Sequence, residues 1–150
     1  MTKQVNKLTI GKNVPKWAIK WIAECKELVL PEWEVTIDSC EAKEELIHEN
    51  ALAMISYLPE YLTANIKLSP LLKDDYQGRY SIVHEFCHPV MAKYFELVMT
   101  VFDLGHVSKH QHEYDSSRQV VEELQRKADE HATTKMARSI TELLTQKFSK

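Results

Sequence analysis

The feature that most constrains this chain is a His-Glu-x-x-His motif, formed by His84, Glu85 and His88 inside an apolar segment with helical spacing. On an α-helix, residues i and i+4 lie on one face, so the two imidazoles are expected side by side. Two imidazoles in that arrangement can bind one Zn²⁺, which leaves coordination positions for a third protein ligand and a water. Glu85 is placed to accept a proton from that water, so the motif predicts a metal site on a helix.

The predicted helix around the motif runs from about Asp74 to Phe102, where apolar residues recur at helical spacing. Pro89 follows His88 directly in this segment. A proline inside a helix removes one backbone hydrogen bond and pushes against the carbonyl group four residues earlier. The sequence is compatible with two outcomes, a kinked helix that keeps the histidines paired or a break that separates them.

Length and composition predict one globular domain over residues 1–150, with residues 1–12 as a peripheral segment. A chain with 44% hydrophobic and 27% charged residues is typical of soluble globular proteins that bury a substantial core. A formal net charge of −3 gives no basis for nucleic-acid binding, and no apolar run is long enough to cross a membrane. Three cysteines in dissimilar contexts and a polar first segment without signal-peptide features predict reduced thiols and a cytoplasmic location.

The predicted fold class is α+β, with the strands before the motif. A helix is predicted from Pro15 to Pro31, and a strand over Glu32–Asp38, where apolar and polar residues alternate. The segments Ala51–Leu58 and Leu62–Leu68 are predicted to form a hairpin around a turn that contains Pro59. We therefore expect a small mixed or antiparallel sheet of three or four strands, packed against the motif helix and a C-terminal helix.

Two polar segments are predicted to connect these elements. Residues 41–50 would be a solvated connection or a short helix, and residues 103–117 would be a loop. The last helix would begin at Ser116 or Ser117, whose hydroxyl can cap its first turn. Its predicted core-facing stripe consists of Val121, Leu124, Ala128, Ala132, Met136, Ile140 and Leu143.

A zinc site needs a third protein ligand besides the two histidines, and the last helix offers acidic candidates. With about 100° of rotation per residue, Glu122 and Asp129 lie at one shoulder of the apolar stripe. Glu122 is the preferred ligand, and Asp129 would either orient one of the histidines or be the ligand itself. The loop offers a different solution, because His106, or else His110 or His112, would complete a site of three histidines.

Together these features resemble the zincin metallopeptidases, and among them the small gluzincins, whose third ligand is a glutamate on the following helix. The resemblance covers about residues 33–136, and only the five-residue motif is specific. It implies a zinc-dependent peptidase that hydrolyses peptide or protein substrates. The zinc ligands would be His84, His88 and Glu122, and Glu85 would be the general base.

The resemblance also implies that the strand before the motif helix, Leu62–Leu68, binds the substrate backbone as an added strand. The chain departs from the pattern of many relatives, in which the ligand glutamate precedes an Ala-Asp or Ala-Asn pair at a fixed interval. Here Ala128 and Asp129 form such a pair, but the usual interval, counted from Glu122, leads to Gln125 instead. Two other hypotheses are a zincin-derived module that binds metal or a protein without catalysis, and a helical interaction protein with an accidental motif. Nothing in the sequence points to a particular oligomeric state.

Overall fold

The computed structural model describes residues 7–40, 51–105 and 111–149. These residues form a mixed α+β fold with one four-stranded sheet and three α-helices, which confirms the predicted class. A short 3₁₀ turn, Pro59–Tyr61, joins the third and fourth strands. In chain order the strands and helices are β1 Leu8–Ile10, α1 Lys16–Val29, β2 Glu34–Ser39, β3 Ala53–Leu58, β4 Thr63–Leu68, α2 Tyr76–Gly105 and α3 Gln111–Phe148.

The sheet is mixed and has the strand order β1-β2-β4-β3. The pairs β1–β2 and β2–β4 are parallel, whereas β3 and β4 form the predicted antiparallel hairpin. The N-terminal segment was expected to be peripheral, but Leu8–Ile10 pair with Val35–Ile37 and form one edge of the sheet. The other edge is β3, so β4 lies in the interior of the sheet.

The core lies between one face of the sheet and the first half of α2. Val35, Ile37 and Ile66 from the central strands are almost completely buried, as are Val83 and Phe86 of α2. These two α2 residues are three positions apart, which places them on one side of the helix. The residues of the motif lie on the other side of this half of α2.

Helix α2 continues without interruption through Pro89, so the structure has the histidines on one unbroken helix. The side chain of Pro89 is fully buried. The predicted first helix is also present, and Pro15 lies at its N-terminal cap, where a missing backbone N–H costs little.

Helix α3 buries mainly small and polar residues rather than its large apolar ones. Thr133, Ala137 and Thr141 are fully buried, whereas Leu124 and Leu143 of the predicted stripe are 61% and 55% exposed. The Thr141 hydroxyl donates a 2.7 Å hydrogen bond to the Ala137 carbonyl, so its burial leaves no unpaired polar group. The predicted stripe was therefore wrong at Leu124 and Leu143, although Met136 and Ile140 do pack on the core.

The predicted loop before the last helix is shorter than expected. Helix α2 extends to Gly105 and α3 begins at Gln111, so helix occupies much of the segment 103–117 and the start at Ser116 or Ser117 was wrong. The predictions for residues 41–50 and 106–110 lie outside the described residues. In the three described segments, no helix combines the length and the apolar character needed to cross a lipid bilayer.

Candidate metal centre

His84 and His88 lie one turn apart on the same face of α2, as the motif predicts. Their ring centroids are 4.7 Å apart and the rings meet edge to face, at an interplanar angle of 88°. One potential ligand atom each from His84, Glu85 and His88 lie within 4.8 Å of one another. Among residues 7–40, 51–105 and 111–149, this is the one group of three or more His, Cys, Asp or Glu side chains that could hold a metal ion.

Glu85 is partly buried, and the edge strand β3 fixes its carboxylate. The backbone N–H of Ile55 donates a 2.9 Å hydrogen bond to Glu85 Oε2. Burial raises the pKa of Glu85 from 4.5 to about 7; the Ile55 hydrogen bond opposes this shift and the charge of Glu130 adds to it. A carboxyl group whose pKa is raised towards neutral pH suits the role of a group that accepts a proton and returns it.

Both ring nitrogens of His84 face a polar partner. The hydroxyl oxygen of Tyr80 lies 3.3 Å from Nδ1, and Glu130 Oε1 lies 3.3 Å from Nε2. Burial lowers the pKa of His84, and the neighbouring His88 lowers it further, while Glu130 and Asp129 act in the opposite direction. The net shift favours the neutral imidazole, which is the form that binds metal ions.

The acidic residues of α3 that face the motif are Asp129 and Glu130. Burial raises the pKa of Asp129, and the largest opposing influence is the charge of His88. The Thr133 hydroxyl donates a 3.4 Å hydrogen bond to Asp129 Oδ1. Asp129 was one of the predicted alternatives, whereas sequence reasoning missed Glu130. A stripe that runs through the buried Thr133 and Ala137 would have included Glu130, which lies three residues before Thr133.

The structure does not bring Glu122, the preferred ligand from sequence, to the histidines. Its carboxylate Oε1 lies 3.3 Å from Nε of Arg118, which is also 3.7 Å from Asp103 near the end of α2. Glu122 precedes Asp129 by seven residues, which is about 10 Å along a helix axis. It therefore lies beside a later part of α2 than the motif.

The alternative ligands from the predicted loop cannot be placed. His106 and His110 lie outside the described residues, and so does the side chain of His112. Cys87, which lies inside the motif, is fully buried, and burial raises the pKa of its thiol to about 12. It therefore stays protonated and packs in the core.

A cleft with a volume of about 460 Å³ opens beside the motif. Its walls include Ala53 of β3, Gln77 and Tyr80 of α2, and Glu130 of α3, and it reaches both His84 and Glu85. This volume falls within the range of roughly 300–1,000 Å³ that is usual for ligand sites. His84 and Glu85 are thus accessible from outside.

The strand that borders this cleft is β3 rather than β4. The sequence-based assignment of Leu62–Leu68 as the strand that accepts the substrate was wrong, because β4 is paired on both sides. Strand β3 is an edge, and the N–H of Ile55 points away from β4 towards Glu85. Backbone groups alternate in direction along an antiparallel strand, so those of Ala53 and Tyr57 face the same open side.

Tyr57 is a second residue near the site that the sequence did not indicate. Its pKa is raised by burial and then by the negative charges of Asp129 and Glu85, so its phenol stays protonated. An O–H donor is thus present on the β3 side of the motif. Its only sequence signal is its alternation with Ile55 along the strand.

A scan against protein-family models found no match, and searches of curated proteins and of solved structures found none either. The resemblance to the zincins therefore stays a prediction from the motif.

Proposed function

We propose that this chain is a zinc-dependent peptidase with a zincin-like arrangement of its sheet and helices. The observation that carries the proposal is the grouping of His84, Glu85 and His88 within 4.8 Å, with His84 and Glu85 at the wall of a cleft that an edge strand borders. Histidine and carboxylate ligands are the donor set that zinc uses in hydrolytic enzymes.

The proposed zinc ligands are His84, His88 and Glu130. Two atoms that each bind a tetrahedral zinc ion at about 2.1 Å lie about 3.4 Å from each other. The observed separation between His84 Nε2 and Glu130 Oε1, 3.3 Å, fits that requirement. The Glu130 side chain is 59% exposed, so its torsions are free to adjust towards His88. Asp129, whose pKa is influenced by His88, is the residue of α3 that would orient His88 through its charge.

Zinc bound at these residues would supply a Lewis acid that lowers the pKa of a water molecule and polarises a carbonyl oxygen. Glu85 would take a proton from the attacking water and pass it to the leaving amine, and the raised pKa that burial gives it in the metal-free protein favours such a role. The Ile55 N–H restricts the carboxylate to one orientation while it does so. The protein thus contributes an acid–base group of fixed position.

The edge strand supports a peptide rather than a small molecule as the substrate. The outward backbone groups of Ala53 and Tyr57 lie on either side of Ile55, whose N–H contacts Glu85. An extended peptide can add to such an edge through main-chain hydrogen bonds. This would place its backbone beside the catalytic carboxylate.

One observation favours a second candidate function, a metal-binding module without catalysis. The Ile55 N–H already occupies Glu85 Oε2. This bond leaves only the other carboxylate oxygen to accept a proton from water, and anchoring α2 to β3 is the role that a module without catalysis would give Glu85.

The substitution Glu85→Gln separates the two functions. For a peptidase, we expect the variant to retain bound zinc and to lose hydrolysis of a fluorogenic peptide mixture by at least about 100-fold. Glu60→Gln, at an exposed glutamate of the 3₁₀ turn, is the matched control and should cleave like the wild type. Unchanged hydrolysis by Glu85→Gln would refute the catalytic assignment, and zinc binding without hydrolysis by the wild type would favour the module.

A further inference from the structure

A series of four aromatic rings follows one face of α2 at intervals of four residues. Tyr76 and Tyr80 are stacked, with ring centroids 6.3 Å apart and an interplanar angle of 13°. Tyr80 and His84 follow with centroids 5.6 Å apart, and the series ends at His88. The series links the wall of the cleft to the candidate metal ligands through direct ring contacts.

The Tyr80 hydroxyl faces the ring nitrogen of His84 that is turned away from Glu130. Its oxygen lies 3.3 Å from Nδ1, while Glu130 Oε1 faces Nε2. A neutral imidazole carries its proton on one nitrogen only, and the partner of the other nitrogen decides which tautomer is favoured. The group opposite Nδ1 therefore controls whether Nε2 can bind a metal ion.

A hydroxyl can serve both tautomers of His84 because it donates and accepts hydrogen bonds. With Nε2–H donating to the Glu130 carboxylate, the Tyr80 O–H donates to Nδ1. With Nε2 bound to a metal ion, the proton lies on Nδ1 and Nδ1–H donates to the Tyr80 oxygen. A carboxylate or a carbonyl group at this position could only accept a hydrogen bond. It would therefore stabilise only the metal-bound state, in which Nδ1 carries the proton.

We propose that Tyr80 is a positioning residue, which holds the His84 ring with Nε2 directed at the metal position both before and after metal binding. This inference rests on the proposed zinc site. Stacking on Tyr76 fixes the Tyr80 ring, so metal uptake requires only a rotation of the hydroxyl hydrogen and a proton shift on the imidazole. The imidazole itself keeps its orientation.

The test compares Tyr80→Phe with Tyr76→Phe, which removes a hydroxyl one turn earlier from the same stack. We expect Tyr80→Phe to weaken zinc binding about tenfold, the lower end of the effect of losing a hydrogen bond to a ligating histidine. Tyr76→Phe should bind zinc like the wild type. Zinc affinity would be measured by competition with a chromophoric chelator, and thermal unfolding of the metal-free variants would confirm that both are folded.

A spectroscopic measurement on the wild type needs no variant. In ¹H–¹⁵N spectra of the zinc-loaded protein, His84 should show a protonated Nδ1 in a hydrogen bond and a metal-bound Nε2. The Nδ1–H signal should be lost to solvent exchange in Tyr80→Phe and retained in Tyr76→Phe. Binding of zinc through Nδ1, or equal zinc affinity of Tyr80→Phe and the wild type, would overturn the role of Tyr80 while the zinc site stands. A wild type that binds no zinc would overturn both proposals.

Discussion

The two halves of the candidate site are built in different ways. On α2, three potential ligands follow one another within five residues, and the geometry of a single helix brings His84 and His88 together. On α3, Asp129 and Glu130 reach the site only through the packing of one helix on another. Local spacing therefore determines the first half, whereas tertiary structure determines the second.

The two halves also differ in burial. The α2 ligands flank the fully buried residues Phe86 and Cys87, so the core holds this half of the site in place. The Glu130 side chain is 59% exposed and makes its contact from a partly solvated helix face. We infer that the α2 half is preformed and that the α3 half adjusts to the metal ion.

The largest expected effect concerns the packing that supports the α2 half. Phe86→Ala removes a fully buried ring next to Glu85 and should lower the free energy of unfolding by about 3–5 kcal/mol. Leu124→Ala, at a position of α3 that is 61% exposed, should change it by less than about 0.5 kcal/mol. Urea denaturation of both variants measures the difference. Equal losses would contradict the assignment of the core to α2 and the sheet.

The next effect compares the two glutamates of α3. Glu130→Gln should weaken zinc binding by about 100-fold, because it removes the charged oxygen donor of the third ligand. Glu122→Gln should leave the affinity unchanged, since the structure pairs Glu122 with Arg118 instead. Isothermal titration with zinc distinguishes the two variants. A larger loss for Glu122→Gln would restore the ligand that the sequence favoured.

A smaller effect is a pH dependence of the metal-free protein. The pKa of Glu85 is raised from 4.5 to about 7 in the folded state, so the folded state binds more protons than the unfolded state between these values. The stability difference between the wild type and Glu85→Gln should therefore shift against the wild type by about 2 kcal/mol from pH 5 to pH 8. His84, whose pKa is lowered, acts in the opposite sense at acidic pH but is present in both proteins. Urea denaturation in a chelating buffer measures the free energy of unfolding of the wild type and of Glu85→Gln across this pH range. Parallel pH profiles of the two proteins would contradict the raised pKa of Glu85.

The sequence predicted the elements whose signals are local. Helical periodicity located α1 and α2, and an apolar segment before Pro59 with an alternating segment after it predicted the β3–β4 hairpin. The strand β1 was missed because three residues, Leu8–Ile10, are too few to show alternation. The position of β4 inside the sheet depends on its pairing with β2, which no local pattern encodes.

The second half of the site was harder to predict because the part of α3 near the motif does not bury its largest apolar residue, Leu124. Small side chains such as Thr133 and Ala137 allow the helices to pack closely, while Leu124 stays exposed. A stripe centred on the large apolar residues therefore predicted the wrong buried face around Leu124. The distance between Glu122 and the motif along the axis of α3 could not be predicted either. It depends on how far α2 and α3 overlap, which is a property of the tertiary structure.

The most direct test of the central claim is the zinc content of the purified chain after equilibrium dialysis, with His84→Ala and His88→Ala beside the wild type. The account predicts one zinc ion per wild-type chain and loss of that ion in each variant. A wild type that retains no zinc, or a variant that retains a full equivalent, would show that the two α2 imidazoles do not form a metal site.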